Sequence, residues 1–447
     1  MNEGASILAI GDVHLGAPCS GVPRGISSWG VDPGELTPAA ALRRSVDFAI
    51  QQRVDAVLFA GDVVESVNAG FEAMLPLEEG VRQLLEAGIE VIAVAGNHDV
   101  EALPRLAAVI DGFTLLGAGG RWEARTISKD RSPVAQVVGW SFDDRSVRQS
   151  PVAELLREPL EMPSPPVPRI GLLHADLDAP GGRYAPVRRA EIEDTGYDAW
   201  LLGHVHQPSL ERSATTTETR PCGYLGSLVG LDPSETGAHG PWLLRVANDG
   251  GLDLRQIPLA PLRWEQVAVS AEGLDHVEDL PDRLLSEAER VARRLGEQAI
   301  VPRALGLRVR LTGTSAGYDG IRRWIAGGEW RSMGRIVDGA AVFFSNIVDS
   351  MDPPLDLAEL ASGDDPAALM AQRLLMLMHD DARSRELLEE ARAALSETAG
   401  EAVWLPVQDH RNARAPLSDQ ALRDLLLRSG KAALSAMLAG GEEGDRS

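Results

Sequence analysis

Five short apolar runs of this 447-residue chain end in the same way, and that recurrence limits the fold more than any other feature. Residues 7–10 lead into Gly11-Asp12-Val13-His14, and 57–60 into Gly61-Asp62. Residues 91–95 lead into Gly96-Asn97-His98-Asp99, 170–173 into His174, and 199–202 into Gly203-His204-Val205-His206. Short apolar runs closed by glycine read as strands buried on both faces, as in the parallel sheets of layered α/β domains. Ligand sites in such sheets gather beyond the carboxyl ends of the strands. Five strands side by side then project Asp12, Asp62, Asn97 and several histidines into one crevice, and the glycines permit the sharp backbone exits this needs.

The donors in that crevice are carboxylate, amide oxygen and imidazole nitrogen, with no thiolate. This set suits Mn²⁺, Fe²⁺ or Zn²⁺ and is too rich in nitrogen for a dedicated Ca²⁺ or Mg²⁺ cage. Asp12, His14, Asp62, Asn97, His174, His204 and His206 are too many ligands for one tetrahedral ion and fit two ions that share a bridge. Two ions about 3.5–4 Å apart clamp the attacking and leaving oxygens of a phosphoryl transfer and lower the pKa of bound water. His98, beside Asn97 and surplus to the metal shells, is placed to protonate a leaving alkoxide. Asp99 is the neighbour expected to orient its ring.

The rest of the chain organises around this constellation. Helices are expected over 39–51, started by Thr37-Pro38, and over 75–87, closed by Gly88; a further strand is expected over 134–138. Residues 163–168 form a Pro-rich surface loop. Residues 1–260 thus read as the catalytic α/β domain. Residues 261–350 read as a small α+β module, with strands over 266–269, 305–311 and 334–344 and a helix over 282–298. Residues 351–440 read as helical, over 366–378, 381–396 and 418–438, and 441–447 as a disordered tail.

Charge sets the terms on which a partner is met. Acidic residues number 66 against 43 basic ones, a net charge of −23. A broad basic surface for nucleic acid is therefore excluded, and a polyanionic substrate would need local positive charge from cations, clustered arginines or a partner subunit. Lys129 and Lys431 are the only lysines. No apolar run reaches the roughly 18–20 residues of a membrane span, and the N-terminus lacks the basic and apolar regions of a secretory signal. Cys19 and Cys222 cannot supply a disulfide framework, so the expected home is a reducing cytoplasm with both thiols inert. Gly117-Ala118-Gly119-Gly120 reads as a turn and not a nucleotide loop. His276, His379 and His410 read as surface residues, while His239, in a Gly-rich loop, has a weaker claim to approach the site.

GDVHLG, AGDV, GNHD, LLHAD and GHVH, in this order, resemble the calcineurin-like metallophosphoesterase superfamily, and more narrowly its SbcD/YhaO-like branch of DNA repair exonucleases. Leu15-Gly16, Tyr184-Ala185-Pro186 and Tyr224-Leu225-Gly226-Ser227 support the narrower likeness. Two departures stand against it: Val63-Val64-Glu65 replaces the family's Leu-Phe-Asp, and Leu225 replaces the proline of Tyr-Pro-Gly-Ser. The resemblance implies a four-layer αββα sandwich, a small α+β capping domain and C-terminal helices that dock on an ATPase. By position, Asp12, His14, Asp62 and His206 would hold one ion; Asp62, Asn97, His174 and His204 would hold the other. Two Mn²⁺ ions are the implied cofactors, with Fe²⁺ and Zn²⁺ as alternatives. The implied activity is 3′→5′ exonuclease and endonuclease action on DNA, alongside an SbcC-like coiled-coil ATPase, as a homodimer. Arg183, Arg188 and Arg189, with Arg24, Arg43 and Arg44, are candidate phosphate contacts; solvated surface arginines are the competing reading. Two other functions stay open: a phosphodiesterase or phosphatase for small nucleotides, and a non-catalytic subunit of an SbcC-like ATPase.

Overall fold

The computed structural model describes residues 4–65, 71–179, 181–210, 220–247, 249–297, 301–379, 382–399 and 418–444. Backbone contacts divide the chain into two compact units: 1–267 with 285–308 and 331–346, and 268–284 with 309–330 and 347–447.

The first unit is built on two sheets. In one, β1 (Ala5–Ile10), β2 (Ala56–Ala60), β3 (Glu90–Val94) and β4 (Phe113–Leu115) run parallel. In the other, β5 (Trp122–Lys129) pairs antiparallel with β6 (Ser132–Trp140). β7 (Arg169–His174), β8 (Ala199–Gly203) and β9 (Cys222–Tyr224) continue it in parallel. Antiparallel β10 (Trp242–Val246) and β11 (Leu252–Gln256) extend the first sheet beyond β1.

Side-chain alternation shows how the layers stack. Ile7 and Ala9 of β1, with Ala56, Leu58 and Ala60 of β2, meet Val137, Ile170, Leu172, Ala199 and Leu201 of the second sheet in one buried core. Leu8 and Ile10 face the other way. They pack with Val57 and Phe59 against α1 (Pro38–Gln52), α2 (Phe71–Glu86) and α3 (Ala102–Val109) through Leu42, Val46, Leu77, Leu84 and Leu103. α4 (Pro151–Arg157) and α5 (Arg189–Asp194) cover the outer face of the second sheet with Val152, Leu155 and Ile192. The layers are helix, sheet, sheet, helix, so the αββα expectation holds. One detail does not: the five chemistry-bearing strand ends belong to two facing sheets, three to one and two to the other. Each run is apolar on both faces in either case, so hydrophobicity carries no record of which sheet a strand joins.

Local signals located α1 and α2 but not the shorter α3, α4 and α5. Thr37 caps α1 by accepting from the Ala40 N–H at 3.3 Å, with Pro38 at the first helical position. Gly88, at φ +78°, follows α2 in the left-handed region. Gly117–Gly120 is a turn with three positive-φ glycines, as expected.

A third sheet contains β12 (Leu262–Ser270), β13 (Ala304–Thr312), β14 (Gly334–Val337) and β15 (Ala340–Asp349), in the order β12–β13–β15–β14. Two helices, α6 (Leu280–Gly296) and α7 (Tyr318–Gly327), alternate with its strands in the chain. The single strand expected over 334–344 is a hairpin. Asp338 and Gly339 turn it with φ +49° and +85°, the Asp-Gly signature of a tight reversal.

The second unit ends in α8 (Leu357–Leu360), α9 (Pro366–Leu377), α10 (Ala382–Ala399) and α11 (Asp419–Gly444). Leu374, Leu377, Leu422 and Leu434 bury the apolar stripes of α9 and α11 in this bundle, while Leu369 and Met378 remain exposed. The expected tail is partly wrong, since residues 441–444 continue α11; 445–447 lie outside the described residues, as does His410. Among the described residues no helix is long and apolar enough to cross a membrane.

Candidate metal centre

The loops after β1, β2, β3, β7 and β8 converge because glycine lets them touch. A methyl group on Gly203 would lie 2.1 Å from the Ala60 carbonyl oxygen, so β8 of one sheet abuts β2 of the other at this residue. The Val13 and His14 N–H groups both donate to the Asp62 carbonyl at 3.0 Å, strapping the first loop to the second. His14, Asp62 and His204 take φ of +52°, +49° and +108°. Such backbone is costly for residues other than glycine and persists where the surroundings enforce it, often at functional sites.

All seven expected ligands meet there, with His98 and Asp99 beside them. His174 Nε2 lies 3.2 Å from Asp62 Oδ2 and 3.1 Å from Asn97 Oδ1; its Nδ1 lies 3.2 Å from the Ala60 carbonyl. His14 Nε2 is 3.9 Å from Asp62 Oδ2 and 3.0 Å from His206 Nε2. Asp12 Oδ1 accepts from the His204 N–H at 2.8 Å. Among the described residues, three groups could each hold a cation: Asp12, His14 and His206; Asp62, His174 and His204; and His14, Glu65 and His98.

Two observations show that these residues fit divalent cations. Asp12 Oδ2 is buried and has no hydrogen-bond partner, a costly state for a carboxylate oxygen unless a positive charge meets it. The Nδ1 atoms of His14 and His206 face carboxylates, Glu65 at 3.1 Å and Glu235 at 2.8 Å. With a proton on each Nδ1, both Nε2 lone pairs point at each other across 3.0 Å, which a cation between them would relieve.

The electrostatics agree. Burial alone would raise the Asp62 carboxyl, but His174, by charge and hydrogen bond, and His14 and His98 behind it hold it well below the usual carboxylate range. Burial would lower His174; Asp62 outweighs that and pushes it up to about 9. The hydrogen bond from His14, against some burial and with help from His98, brings Glu65 down to about 2. These directions favour positive charge beside Asp62 and Glu65.

His98 is the most accessible of the group, its side chain 36% exposed. Its partner is not the expected one. The Asp99 carboxylate is fully buried and accepts the N–H groups of Val63 at 2.6 Å and Gly96 at 2.7 Å, so it fixes the loops and not the His98 ring. Burial first, then the Asp62 charge, pushes Asp99 up to about 8. Glu65 orients His98, with Oε1 2.9 Å from Nδ1. Sequence reasoning noted Glu65 only as a departure and missed Glu235 and Asp176, whose Oδ1 lies 2.9 Å from His204 Nε2. Tyr224 acts nearby by tethering, accepting from Leu177 N–H and donating to the Ala175 carbonyl just after His174.

The candidate DNA contacts are less engaged with the site. The Arg188 guanidinium lies on Glu191 at 2.8 Å and that of Arg189 lies 3.8 Å from Asp178, while Arg24, Arg43 and Arg183 are exposed. His276 and His379 are exposed as expected. Burial pushes the Cys19 thiol up to about 12 and the Cys222 thiol up to about 11, which disfavours the reactive thiolate.

Residues 5–208, a little under half of the chain, match the calcineurin-like phosphoesterase family. The chain is 26% identical over 317 residues to YhaO of Bacillus subtilis (strain 168), named an uncharacterized metallophosphoesterase, across 65% of this chain and 71% of that one. It is 28% identical over 278 residues to the DNA double-strand break repair protein Mre11 of Aeropyrum pernix, across 60% of this chain and 64% of that one. A dimetal phosphatase from Danio rerio superposes with a TM-score of 0.37 at 13% identity, over 58% of this chain and 97% of that one.

Proposed function

We propose that this phosphoesterase is a Mn²⁺-dependent phosphodiesterase acting on DNA, a 3′→5′ exonuclease with endonuclease activity that works with an SbcC-like ATPase. The observation that carries the reading is the convergence of Asp12, His14, Asp62, Asn97, His174, His204 and His206 with His98 on their accessible side. The likeness to Mre11, a DNA repair protein by name, supports DNA as the substrate. Two bound cations supply Lewis acidity toward the phosphate and local positive charge in a chain of net charge −23. Asp62 Oδ2 lies 3.2 Å from His174 Nε2 and 3.9 Å from His14 Nε2, and would serve both donor groups. Glu65 holds the His98 ring so that it delivers a proton to the departing sugar oxygen, and Asp99 keeps the loops carrying Asp62 and His98 in register. In the same reading, residues 261–350 cap the catalytic domain (1–260), residues 351–440 dock on the ATPase, and Arg183, Arg188 and Arg189 contact phosphates at the periphery.

Labelled duplex DNA, a chromogenic phosphodiester and a phosphomonoester, each assayed with Mn²⁺, test the proposal. Cleavage of DNA that disappears in Asp62→Ala is the expected result. Hydrolysis confined to the small esters would overturn the nuclease reading in favour of a small-nucleotide phosphoesterase.

A further inference from the structure

His206 is one of the donors carried on a loop and not on a strand. It lies beyond the end of β8, its side chain 29% exposed and preceded by the exposed Val205. His204 in the same motif is tied through its N–H to Asp12, and His174 sits fully buried within β7. What faces the His206 ring is a carboxylate from a distant loop: Glu235 Oε1 lies 2.8 Å from Nδ1, opposite the Nε2 that points into the site.

Glu235 is itself held. Its Oε2 accepts from the Leu231 N–H at 2.9 Å and from the Ser227 hydroxyl at 3.1 Å. Its backbone carbonyl lies 3.2 Å from Nε2 of His239, whose Nδ1 lies 3.0 Å from the Ser227 carbonyl. His239 is 1% exposed, so the loop that presents Glu235 closes on a buried imidazole. The expected approach of His239 to the site is therefore indirect: it supports the loop that supports a ligand.

We propose that Glu235 is the positioning residue of His206, fixing its imidazole with Nδ1 protonated and the Nε2 lone pair turned toward the cation that Asp12 and His14 would share. The inference rests on the reading of the site as a two-cation centre. A carboxylate on the far nitrogen of a metal-binding histidine sets both tautomer and ring orientation. Here it also supplies the orientation that β8 no longer provides.

The test is calorimetric titration of MnCl₂ into the metal-free full-length chain, with melting of the metal-free chain measured alongside. The wild type is expected to show two binding steps. Glu235→Ala should weaken one of them by about 10–100-fold, the usual cost of losing such a partner, and leave the other unchanged. The weakened step should be the one abolished by His206→Ala, and the double variant should be no worse than His206→Ala, because Glu235 acts only through that ring. If Glu235→Ala does not fold, Glu235→Gln, which keeps the volume and removes the charge, must weaken the same step. Wild-type titration in a folded Glu235 variant overturns the inference and leaves the two-cation reading intact. Equal weakening of both steps with a lower melting temperature also overturns it, since that is loss of the loop and not of the ring. A wild-type chain that takes up no Mn²⁺ overturns the reading and the inference together.

Discussion

Gly96 is where the geometry of the site can be tested by stability alone. A methyl group there would lie 2.2 Å from Asp62 Oδ1 and 2.6 Å from the Asp62 nitrogen, where ordinary contact begins near 3.4 Å. The Asp62 nitrogen is backbone and cannot rotate away, so Gly96→Ala must part the two loops by roughly an ångström, an overpacking cost of about 1–3 kcal/mol. That displacement stretches the bond from His98 N–H to Asp62 Oδ1, now 2.9 Å, toward the limit of hydrogen bonding. It also strains the bond from Gly96 N–H to Asp99 Oδ1, now 2.7 Å. The bond to the charged Asp62 is worth about 1.5–3 kcal/mol, so losing it brings the total to roughly 2.5–6 kcal/mol. The assay is urea unfolding of the metal-free chain, with Gly88→Ala as control. Gly88 has φ +78° and open space around it, so its substitution should cost only about 1 kcal/mol of backbone strain. Gly96→Ala should exceed the control several-fold and abolish Mn²⁺ uptake. A Gly96→Ala chain as stable as the control, with intact uptake, would refute the argument that close approach of these two loops builds the site.

Other perturbations separate the roles within the centre. His98→Ala should lower kcat on DNA by about 10²–10⁴-fold while Mn²⁺ binding, followed by calorimetry, stays at the wild-type level; loss of binding would move His98 into the metal shell. Asp62→Ala should abolish both binding steps together, and retention of either would deny it the bridging place. His239 supplies a pH prediction. Burial lowers its pKa against the raising influence of Ser227 and Glu235, so the unfolded chain takes up a proton at pH values where the folded residue stays neutral. Its share of stability is therefore complete above the ordinary histidine value near 6.5 and declines as pH falls, by at most about 1.4 kcal/mol per pH unit. His239→Gln should flatten the decline in urea midpoint between pH 8 and pH 5.5 relative to the wild type; an equal or steeper decline would count against it.

The strands and donors were legible because each depends on its neighbours in sequence. An apolar run, a glycine and a metal-binding side chain lie within ten residues of one another, and their order alone predicts strand ends that carry ligands. The distribution of those ends over two sheets was not legible, because Ile7 and Ile170 are equally apolar and reach the same buried core from opposite sides. The Asp338-Gly339 reversal was present in the sequence but lay inside a run that reads as continuous strand.

The residues that hold the imidazoles belong to a different category. A histidine that gives one ring nitrogen to a metal needs a partner for the other. Four candidate metal-binding histidines in the sequence therefore called for four acceptors, even though nothing in the sequence says which residues they are. The structure supplies one for each: Glu65 for His14, the Ala60 carbonyl for His174, Asp176 for His204 and Glu235 for His206. Asp176 lies two residues after His174 and Glu65 three residues after Asp62, so adjacency to a motif could have nominated both. Glu235 lies 29 residues from the ring it faces, in a loop with no periodic signature, and only the fold brings it there. The number of supporting groups was thus fixed by ligand chemistry before any coordinates, while their identity required the tertiary structure.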